Sequence, residues 1–374
     1  MRISSDKIFE LMIALLLKKN GYRVGIPAGK LLAGRGGKHQ IDCLAIYPFP
    51  APFVFPTRLV AEAKLYDPNK RSNQIRIRFV RNLHSELIDL EQTLPRDRKL
   101  RLDEKWEENI TCNYQGAIFS TAGFSDEAIG FANAYAIDTV VMSPSLENGK
   151  PVHEYVQALF TILHDCIEKK SPAYHGTPQC DQDAFRELCG KQYYSDLSAK
   201  GKTELFKLLE YVTQECTKHP KCNFSEFKEM SRLLDFFFTR KLGSLDGHVI
   251  VLQFRGDSFQ RLRRQVARRF VERAGGGDPF YPPPDDDLGP DLSPPEGGPF
   301  TPVSIEPIGR PESNAEKWPR GNIQLMFNWQ VGGEKIQAEG FFLNNTLHQL
   351  KSSKHPKKFV VPVDFGCFFY GIIC

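Results

Sequence analysis

The sequence predicts an α/β fold in which a mixed sheet is flanked by helices, followed by an α+β domain in the C-terminal part. Three observations support this prediction. An apolar segment with helical character lies at residues 6–19, two short aliphatic runs follow at 39–47 and 58–66, and helical and strand-like segments alternate from there to residue 142. This mixed order of elements is typical of a central sheet covered by helices.

The first elements each have their own sequence signal. Helix 6–19 is apolar on most sides, so we expect it to be buried. The sheet is expected to begin with a strand at 22–26, after Gly21 breaks the helix. The runs 39–47 and 58–66 are predicted as the next two strands, because they are short and rich in aliphatic residues.

The following segments complete the predicted sheet and its helices. A long helix is predicted at 72–94, and strands are predicted at 116–121 and 138–142. Ser125 is expected to cap a helix between these strands, with two acidic residues in its first turn that interact favourably with the helix dipole. The predicted apolar face of helix 72–94 comprises Ile75, Phe79, Leu83, Leu87 and Leu90.

The C-terminal part is interrupted by a segment of different composition. Residues 275–300 include fourteen Gly or Pro among 26 residues, six acidic residues and no Lys or Arg, which favours an open linker. Because a strand is predicted before it, at 248–254, we interpret it as an insertion within one α+β domain. The predicted domains are therefore 1–145 and 146–374. The predicted helices of the second domain are 152–169, 200–218, 224–241 and 257–273.

Composition excludes some classes of protein. No apolar run reaches the length of a membrane-spanning helix, and the N-terminus lacks the pattern of an export signal, so we expect a cytoplasmic protein. Nine cysteines without paired spacing indicate reduced thiols, in agreement with that compartment. The net charge is only +4, but without the six acidic residues of 275–300 it would be +10, which favours a polyanionic partner.

Charged residues inside the apolar strands are the main functional signal. Side chains alternate along a strand, so Glu62 and Lys64 are expected to point to the same face. In the preceding strand, Asp42 is expected to share its face with Gln40. Unpaired charges are costly in such apolar surroundings, and a divalent cation together with a phosphate would offset that cost. Glu10 in the opening helix could complete the cluster.

Each of these residues also has an ordinary structural interpretation. Acid-x-base triplets occur by chance in a chain of this charge content, so Glu62 and Lys64 could form a surface ion pair at a sheet edge. Glu10 could face the solvent as the helical partner of Lys7. Gln40 could be a structural residue held by hydrogen bonds.

The order of these residues along the chain resembles a known nuclease family. Glu10, then Asp42 in GRGGKHQIDCLAIY, then the Glu and Lys of LVAEAKLY are similar to the PD-(D/E)xK nuclease superfamily, and to Mrr-type restriction endonuclease domains in particular. The segment QGAIFSTAGFSDEAIGFANAYAIDTVVM resembles the strand–helix–strand unit that closes that fold. The similarity covers about residues 5–142 and implies a restriction-endonuclease-like sheet.

The sequence departs from the family pattern at two points. Ile41 stands where the motif has Pro before the Asp, and this change leaves the site intact. The loop between the two site strands, at 48–56, is long and rich in Pro and Phe, which affects the geometry of the connection. The resemblance still implies an Mg²⁺-dependent endodeoxyribonuclease of the restriction or anti-phage defence type.

The implied chemistry assigns a role to each site residue. Carboxylate and carbonyl oxygens are the ligands that Mg²⁺ prefers, and Mn²⁺ is expected to substitute for it. By resemblance, Lys64 orients or deprotonates the attacking water and stabilises the developing charge. The predicted catalytic residues are Glu10, Gln40, Asp42, Glu62 and Lys64. The predicted metal ligands are Glu10, Asp42, Glu62 and the backbone carbonyl of Ala63.

Basic residues in three places are predicted to contact nucleic acid. The glycines of loop 34–39 would let the backbone approach a phosphate, and the helix predicted at 257–273 carries six arginines. A plain surface loop in the first case, and a solvated face or an acidic protein partner in the second, are the alternatives. The predicted contacts are Arg35, Lys38, His39, Arg76, Arg261, Arg264 and Arg268.

The leading hypothesis is an endonuclease that cleaves DNA, with RNA left open as a substrate. A repair nuclease acting on DNA junctions is one alternative. A nucleic-acid-binding adaptor that has the nuclease fold without turnover is another. The 146–374 region is expected to bind a protein partner, a signal or DNA. No membrane association is expected, and a homo-oligomer is left open.

Overall fold

The computed structural model divides into two compact units, Met1–Phe238 and Thr239–Cys374, and each is described by itself. The residues that it describes are 3–25, 30–46, 57–68, 73–92, 113–142, 152–168, 174, 176–218, 240–245, 248–254, 257–262, 264, 304–307, 322–331, 334–343, 357–363 and 367–373. The loop 48–56, the segment 275–300 and most of the helices predicted at 224–241 and 257–273 lie outside the described residues.

The first unit contains a five-stranded mixed sheet, which confirms the predicted α/β fold class. Its strand order is β1-β4-β5-β6-β7, so β5 is the central strand. The pairs among β1, β4 and β5 are antiparallel, and β5 pairs parallel with β6, as β6 does with β7. The strands are β1 Arg23–Val24, β4 Cys43–Ile46, β5 Thr57–Lys64, β6 Asn113–Ser120 and β7 Asp138–Val141.

Six helices accompany this sheet among the described residues of the first unit. They are α1 Ser5–Lys19, α2 Ile77–Glu91, α3 Asp126–Ala134, α4 Val152–Glu168, α5 Gln182–Gly190 and α6 Ala199–Lys218. A short 3-10 helix, Tyr194–Asp196, lies between the last two. Helix α5 was not predicted, whereas the others were expected close to their observed bounds.

Helix α1 is the buried helix of the fold, as its composition predicted. Ser4 caps it by accepting a hydrogen bond from the Lys7 amide at 3.3 Å. Every residue from 8 to 17 is buried, because the helix packs between strands β1, β4 and β5 on one side and helix α4 on the other. This position carries Glu10 into the interior.

The prediction of a single strand at 39–47 is wrong, because the chain bends at Asp42 and forms two strands. The residues before it form β3, Lys38–Ile41, which pairs with β2, Lys30–Ala33, in a separate two-stranded sheet. The residues after it form β4, which belongs to the five-stranded sheet. The hydrogen-bonding partner of the chain therefore changes at this one residue.

Helices α2 and α3 pack together, and α2 also packs against β6. The helix predicted at 72–94 is observed as α2, whose buried residues Val80, Leu83, Leu87 and Leu90 form the face toward the sheet. Phe79 is only half-buried, and Ile75 precedes the helix in an isolated bridge with Phe124. The predicted cap of α3 is confirmed, since the Ser125 hydroxyl accepts a hydrogen bond from the Ala128 amide at 3.3 Å.

The first unit extends beyond the predicted domain boundary at residue 145. Helices α4 and α6 both pack against α1. An ion pair of 2.7 Å joins Lys18 of α1 to Glu210 of α6. The segment predicted to open a second domain therefore completes the burial of the first, and the division of the structure lies at Phe238 instead.

The second unit contains a seven-stranded antiparallel sheet in the order β10-β11-β12-β9-β8-β13-β14. Pairing of β9 with β12 and of β8 with β13 joins strands from both sides of 275–300 in one sheet, as an insertion predicts. Arg240 begins a strand, although a helix was predicted through residue 241. The strands are β8 Arg240–Leu245, β9 His248–Phe254, β10 Ser304–Pro307, β11 Asn322–Val331, β12 Glu334–Leu343, β13 Lys357–Val363 and β14 Cys367–Ile373.

Within the residues that the structure describes, none of the helices is both long and apolar enough to span a bilayer.

Gly116 lets α2 approach β6, and its replacement tests this packing. A Cβ atom at Gly116 would lie 2.8 Å from Leu87 Cδ1 and 3.2 Å from Leu83 Cδ2. We expect Gly116→Ala to lower the free energy of unfolding by about 1–2 kcal/mol, because overpacking outweighs the gain in backbone entropy. Chemical denaturation measures this change.

Gly130 provides the matched control for this prediction. A Cβ atom there would meet nothing within 4 Å, so Gly130→Ala should stabilise helix α3 by up to about 1 kcal/mol. Adding Leu87→Ala to Gly116→Ala should cost less than the sum of the two single changes. Additive losses would contradict a direct contact between these positions.

Candidate active site

The site lies where strand β5 extends beyond its neighbour β4. The antiparallel register of the two strands ends at the pair Cys43–Ala61, because the chain turns away at Asp42. In place of a strand partner, the Asp42 carboxylate accepts a hydrogen bond from the Ala63 amide at 3.0 Å. The end of β5 is thereby open on one side to the Asp42 side chain.

Lys64 connects the two strand carboxylates. Its Nζ lies 3.2 Å from Asp42 Oδ2 and 2.5 Å from Glu62 Oε2. Glu62 and Lys64 therefore share one face of β5, as strand alternation predicted. The pair is half-buried and lies on the central strand of the sheet. The alternative interpretation, a surface ion pair at a sheet edge, is therefore wrong.

Glu10 reaches the same region from helix α1. It is 6% exposed, and both of its carboxylate oxygens accept hydrogen bonds from Lys7 Nζ, at 2.8 and 2.6 Å. The sequence alternative of a Lys7 partner is thus observed, but the carboxylate is buried and does not face the solvent. Its pKa responds to the charges of Asp42 and Lys64, and its hydrogen bonds are with Lys7.

Burial and crowding of like charges change the acidity of the cluster. Burial, followed by the negative charge of Asp42, raises the pKa of Glu10 and of Glu62 to about 7 in each case. Burial alone would lower the pKa of Lys64, but the charges of Glu62 and Asp42 raise it above its usual range. Lys64 therefore stays an ammonium at neutral pH, while the two glutamates gain from any added positive charge.

Glu86 is a further carboxylate whose charge interacts with those of Asp42 and Lys64, and the sequence did not predict it. It lies half-buried on α2. Burial raises its pKa, the charges of His39 and Lys64 lower it, and that of Asp42 raises it. One sequence signal was available, since Glu86 directly precedes Leu87 and so borders the apolar face of the predicted helix.

Tyr194 was also missed, and no sequence signal marks it. It is buried in the 3-10 helix, and its ring centroid lies 6.0 Å from Lys7 Nζ and 5.2 Å from Lys202 Nζ. Burial and the charge of Glu10 raise the pKa of its hydroxyl. The helical segment after residue 145 thus lies against the Lys7–Glu10 pair.

The donor set has the chemistry of a divalent-cation site, although its side chains are not arranged as a closed one. Within the described residues, no three His, Cys, Asp or Glu side chains are grouped so that they could hold a metal ion. The ammonium groups of Lys7 and Lys64 bond the carboxylates instead. The oxygens of Asp42 and Glu62 are of the type that a hard cation such as Mg²⁺ prefers, and in this structure Lys64 Nζ bonds them.

The backbone of Ala63 fits its predicted part in this donor set. The N–H and C=O groups of one strand residue point to the same side. Because the Ala63 amide points at Asp42, its carbonyl also faces the side where β4 has ended. That carbonyl can thus serve as an oxygen donor beside the Asp42 carboxylate.

Gln40 does not share a strand face with Asp42, because β3 ends at Ile41. It is exposed on the two-stranded sheet of β2 and β3 and lies directly opposite Leu31. Gln40 is thus exposed while Asp42 is buried, and the catalytic role of Gln40 stays a prediction.

The glycine loop predicted to approach a phosphate instead surrounds a carboxylate of the protein itself. Asp89 of α2 accepts hydrogen bonds from the Gly36 amide at 2.7 Å and contacts His39 Nε2 at 2.6 Å. These two contacts lower the pKa of Asp89. A Cβ atom at Gly34 would collide with the same carboxylate, so the close approach requires glycine. Arg35 and Lys38 of this loop and β3 are exposed.

The other predicted nucleic-acid contacts belong to other elements of the chain. Arg76 is exposed directly before α2. Arg261, paired with Asp257 at 2.9 Å, and exposed Arg264 belong to the second unit. Arg268 lies outside the described residues.

Comparisons with known proteins do not assign the chain to a family. No family model matches it, and no curated protein matches it. Among solved structures, a chain described as the crystal structure of a protein of unknown function, AF1548, is 17% identical in a match that covers 55% of this chain and 97% of that chain, with a TM-score of 0.28. A TM-score of this size carries no argument about fold or function.

The raised pKa of Glu62 predicts how stability depends on pH. We compare the free energy of unfolding of the wild type with that of Glu62→Gln in the absence of divalent metal. The difference, wild type minus variant, should fall as pH rises from about 4.5 to about 7. In this window the folded protein keeps a proton that the unfolded chain has released, since the pKa rises from 4.5 to about 7 on folding. The expected decrease is about 1–3 kcal/mol, measured by chemical denaturation in EDTA.

Glu127→Gln serves as the control, because Glu127 is an exposed carboxylate in the first turn of α3. The wild type should lose no stability relative to this variant over the same pH window. A wild-type advantage over Glu62→Gln that stays constant or grows with pH would contradict the burial of the Glu62 carboxylate.

Proposed function

We propose that the chain is a metal-dependent endonuclease that hydrolyses phosphodiester bonds of DNA, with the PD-(D/E)xK arrangement of site residues. One observation carries the proposal. Lys64 contacts both Asp42 and Glu62 at the open end of the central strand, and Glu10 is buried on α1, which packs against that strand. These residues follow each other in the order that the family resemblance requires. The resemblance to Mrr-type domains favours a role in restriction or anti-phage defence.

The buried charge distinguishes this cluster from an ordinary ion-pair network. Three buried or half-buried carboxylates, Glu10, Asp42 and Glu62, pair with the two ammonium groups of Lys7 and Lys64, which leaves one carboxylate in excess. A scaffold gains nothing from that excess, because buried charge without compensation is costly. A site that binds a cation and a phosphate uses it.

The residues of the chain have separate roles in the proposed reaction. A divalent cation held by Asp42, Glu62 and the Ala63 carbonyl would neutralise phosphate charge and favour ionisation of the attacking water. Lys64, which remains protonated, donates hydrogen bonds to the phosphate oxygens as charge develops on them. Glu10 would complete the cation site from helix α1, through a second ion or a water.

A nucleic-acid-binding adaptor without turnover is the second candidate function. It is favoured by the ion pairs of Lys7 and Lys64, which already occupy carboxylate oxygens in this structure. The two candidates differ in whether the cluster binds a divalent cation and cleaves a substrate.

Removal of the Lys64 ammonium should abolish most cleavage. We expect Lys64→Ala to lower kcat for metal-dependent cleavage by a factor of about 10²–10⁴. Removal of one hydrogen-bond donor that stabilises developing charge lowers kcat by about 10²–10³, and loss of the orientation of the attacking water lowers it further. DNA affinity should change by less than about threefold, since Lys64 acts on one phosphate among many. The assay uses duplex, nicked and branched DNA and RNA with Mg²⁺ or Mn²⁺.

Lys191→Ala is the matched control, because Lys191 is exposed at the end of α5. It should cleave like the wild type. A wild-type protein that cleaves none of these substrates with either metal would contradict the proposed function.

Metal binding can be measured apart from cleavage. Calorimetric titration should show that Mn²⁺ binds the wild type. Glu62→Gln should lower the affinity for Mn²⁺ at least about tenfold, because loss of a residue that only supports a metal ligand already lowers metal affinity by about 10–100-fold. Glu127→Gln should bind like the wild type, since its carboxylate is exposed on α3. Absence of binding to the wild type would favour the adaptor.

A further inference from the structure

Strands β2 and β3 form a ribbon that stands apart from the main sheet. They pair only with each other among the described strands, in a two-stranded antiparallel sheet joined by residues 34–37. Leu31 lies opposite Gln40, and Ala33 lies opposite Lys38. The ribbon therefore has two distinct faces, since cross-strand partners point the same way.

One face of the ribbon is held against helix α2. Leu32 and His39, which lie opposite each other, are half-buried. His39 contacts the Asp89 carboxylate, the Gly36 amide donates to it, and the Arg35 amide donates to the Asp89 carbonyl at 3.2 Å. These contacts hold the face of the ribbon that carries Leu32 and His39 against helix α2.

The other face is exposed and has an unusual composition. Leu31 is 59% exposed, and Ala33, Lys38 and Gln40 are exposed beside it. An exposed leucine next to an exposed amide and a cation provides both apolar and hydrogen-bonding contacts.

The charge of the ribbon selects the class of partner. Residues 30–41 contain Lys30, Arg35 and Lys38 and no acidic residue. Arg35 and Lys38 are exposed, whereas the Asp89 carboxylate lies on the His39 side of the ribbon, so the exposed face is positive and complements a polyanion. A single exposed leucine between them is too little apolar surface for a protein interface of the usual kind.

The geometry of a two-stranded ribbon selects the form of nucleic acid. The major groove of B-DNA is about 12 Å wide and admits such a ribbon, whereas the major groove of an RNA duplex is too narrow. The Gln40 amide offers the donor and acceptor that match the major-groove edge of adenine. Leu31 offers an apolar contact of the kind that the methyl group of thymine makes.

The ribbon is tied directly to the candidate active site. Gln40 precedes Asp42 by two residues, which is about 7 Å of extended chain. Successive base pairs are about 3.4 Å apart, so a base contacted by Gln40 would lie within a few base pairs of a phosphate held at Asp42. Contacts of the ribbon would thus determine which bond is cleaved.

We propose that the exposed face of the β2–β3 ribbon reads the major groove of double-stranded DNA beside the cleaved phosphate, with Gln40 and Leu31 contacting bases and Arg35 and Lys38 contacting phosphates. This inference rests on the proposed function and adds its substrate form and its determinants of specificity. It also gives Gln40 a role other than the catalytic one predicted from the sequence.

The test measures binding and base preference of the full-length protein. Fluorescence anisotropy in EDTA gives affinity for a random 20-base-pair duplex library at several salt concentrations, and sequencing of the bound fraction gives the base preference. Gln40→Ala and Leu31→Ala should each lower discrimination at one position by about 5–150-fold, the range that a good base contact provides. Average affinity should change by less than about threefold.

The basic residues should behave differently from the base-reading ones. Arg35→Ala and Lys38→Ala should weaken binding to all sequences alike and reduce the slope of log affinity against log salt by about one each. An RNA duplex should bind more weakly than DNA of the same sequence. These variants should fold normally, because the side chains are exposed, and circular dichroism checks this.

Matched controls come from exposed residues on helices. Gln157→Ala on α4, Ile88→Ala on α2 and Lys191→Ala after α5 replace exposed side chains of the same types. They should leave base preference and salt dependence unchanged. Equal effects of the control and ribbon variants would overturn the proposal.

The outcomes separate this inference from the proposed function. Metal-dependent cleavage with a base preference that no ribbon variant alters would overturn the ribbon's role and leave the nuclease in place. If the wild type never cleaves but the ribbon variants lose its base preference, the base-reading role of the ribbon would be supported and the proposed nuclease activity would be contradicted. A wild-type protein that binds RNA duplexes as tightly as DNA, or that shows no base preference, would overturn the groove-reading role.

Discussion

An excess of buried negative charge at the end of strand β5 is the constraint on which the rest of the site depends. Glu10, Asp42 and Glu62 share this region with the ammonium groups of Lys7 and Lys64, and Glu86 adds a further carboxylate. The fold compensates part of this charge by ion pairs and part by protonation near neutral pH. In the function proposed above, a cation and the phosphate that it accompanies would compensate the remainder.

The bend at Asp42 connects this chemistry to the surface of the protein. It ends the pairing of β4 with β5, which exposes the Ala63 backbone to the Asp42 carboxylate. It also separates the β2–β3 ribbon from the main sheet, so that one continuous segment passes from an exposed basic face to a buried carboxylate. The contacts of Asp89 with His39 and Gly36 fix the ribbon to α2, the helix that carries Glu86. The ribbon and Glu86 are therefore attached to the same helix.

The helices after residue 145 are part of the same unit and contribute to the site. They pack on α1, and Tyr194 lies beside the Lys7–Glu10 pair. Burial of Glu10 thus depends on a segment far from it in sequence. This arrangement gives the helical segment a direct physical means of influencing the acidity of the site.

Local patterns in the sequence determined the fold class, helix α1, strand β5 and the common face of Glu62 and Lys64, because helix and strand periodicities act over a few residues. Only the tertiary structure decided the rest. A change of hydrogen-bonding partner at Asp42 has no local signal, and Glu86 and Tyr194 reach the site through the packing of distant elements. Which charges share one buried space depends on contacts between segments far apart in the chain, and these exist only once the sheet and its helices have assembled.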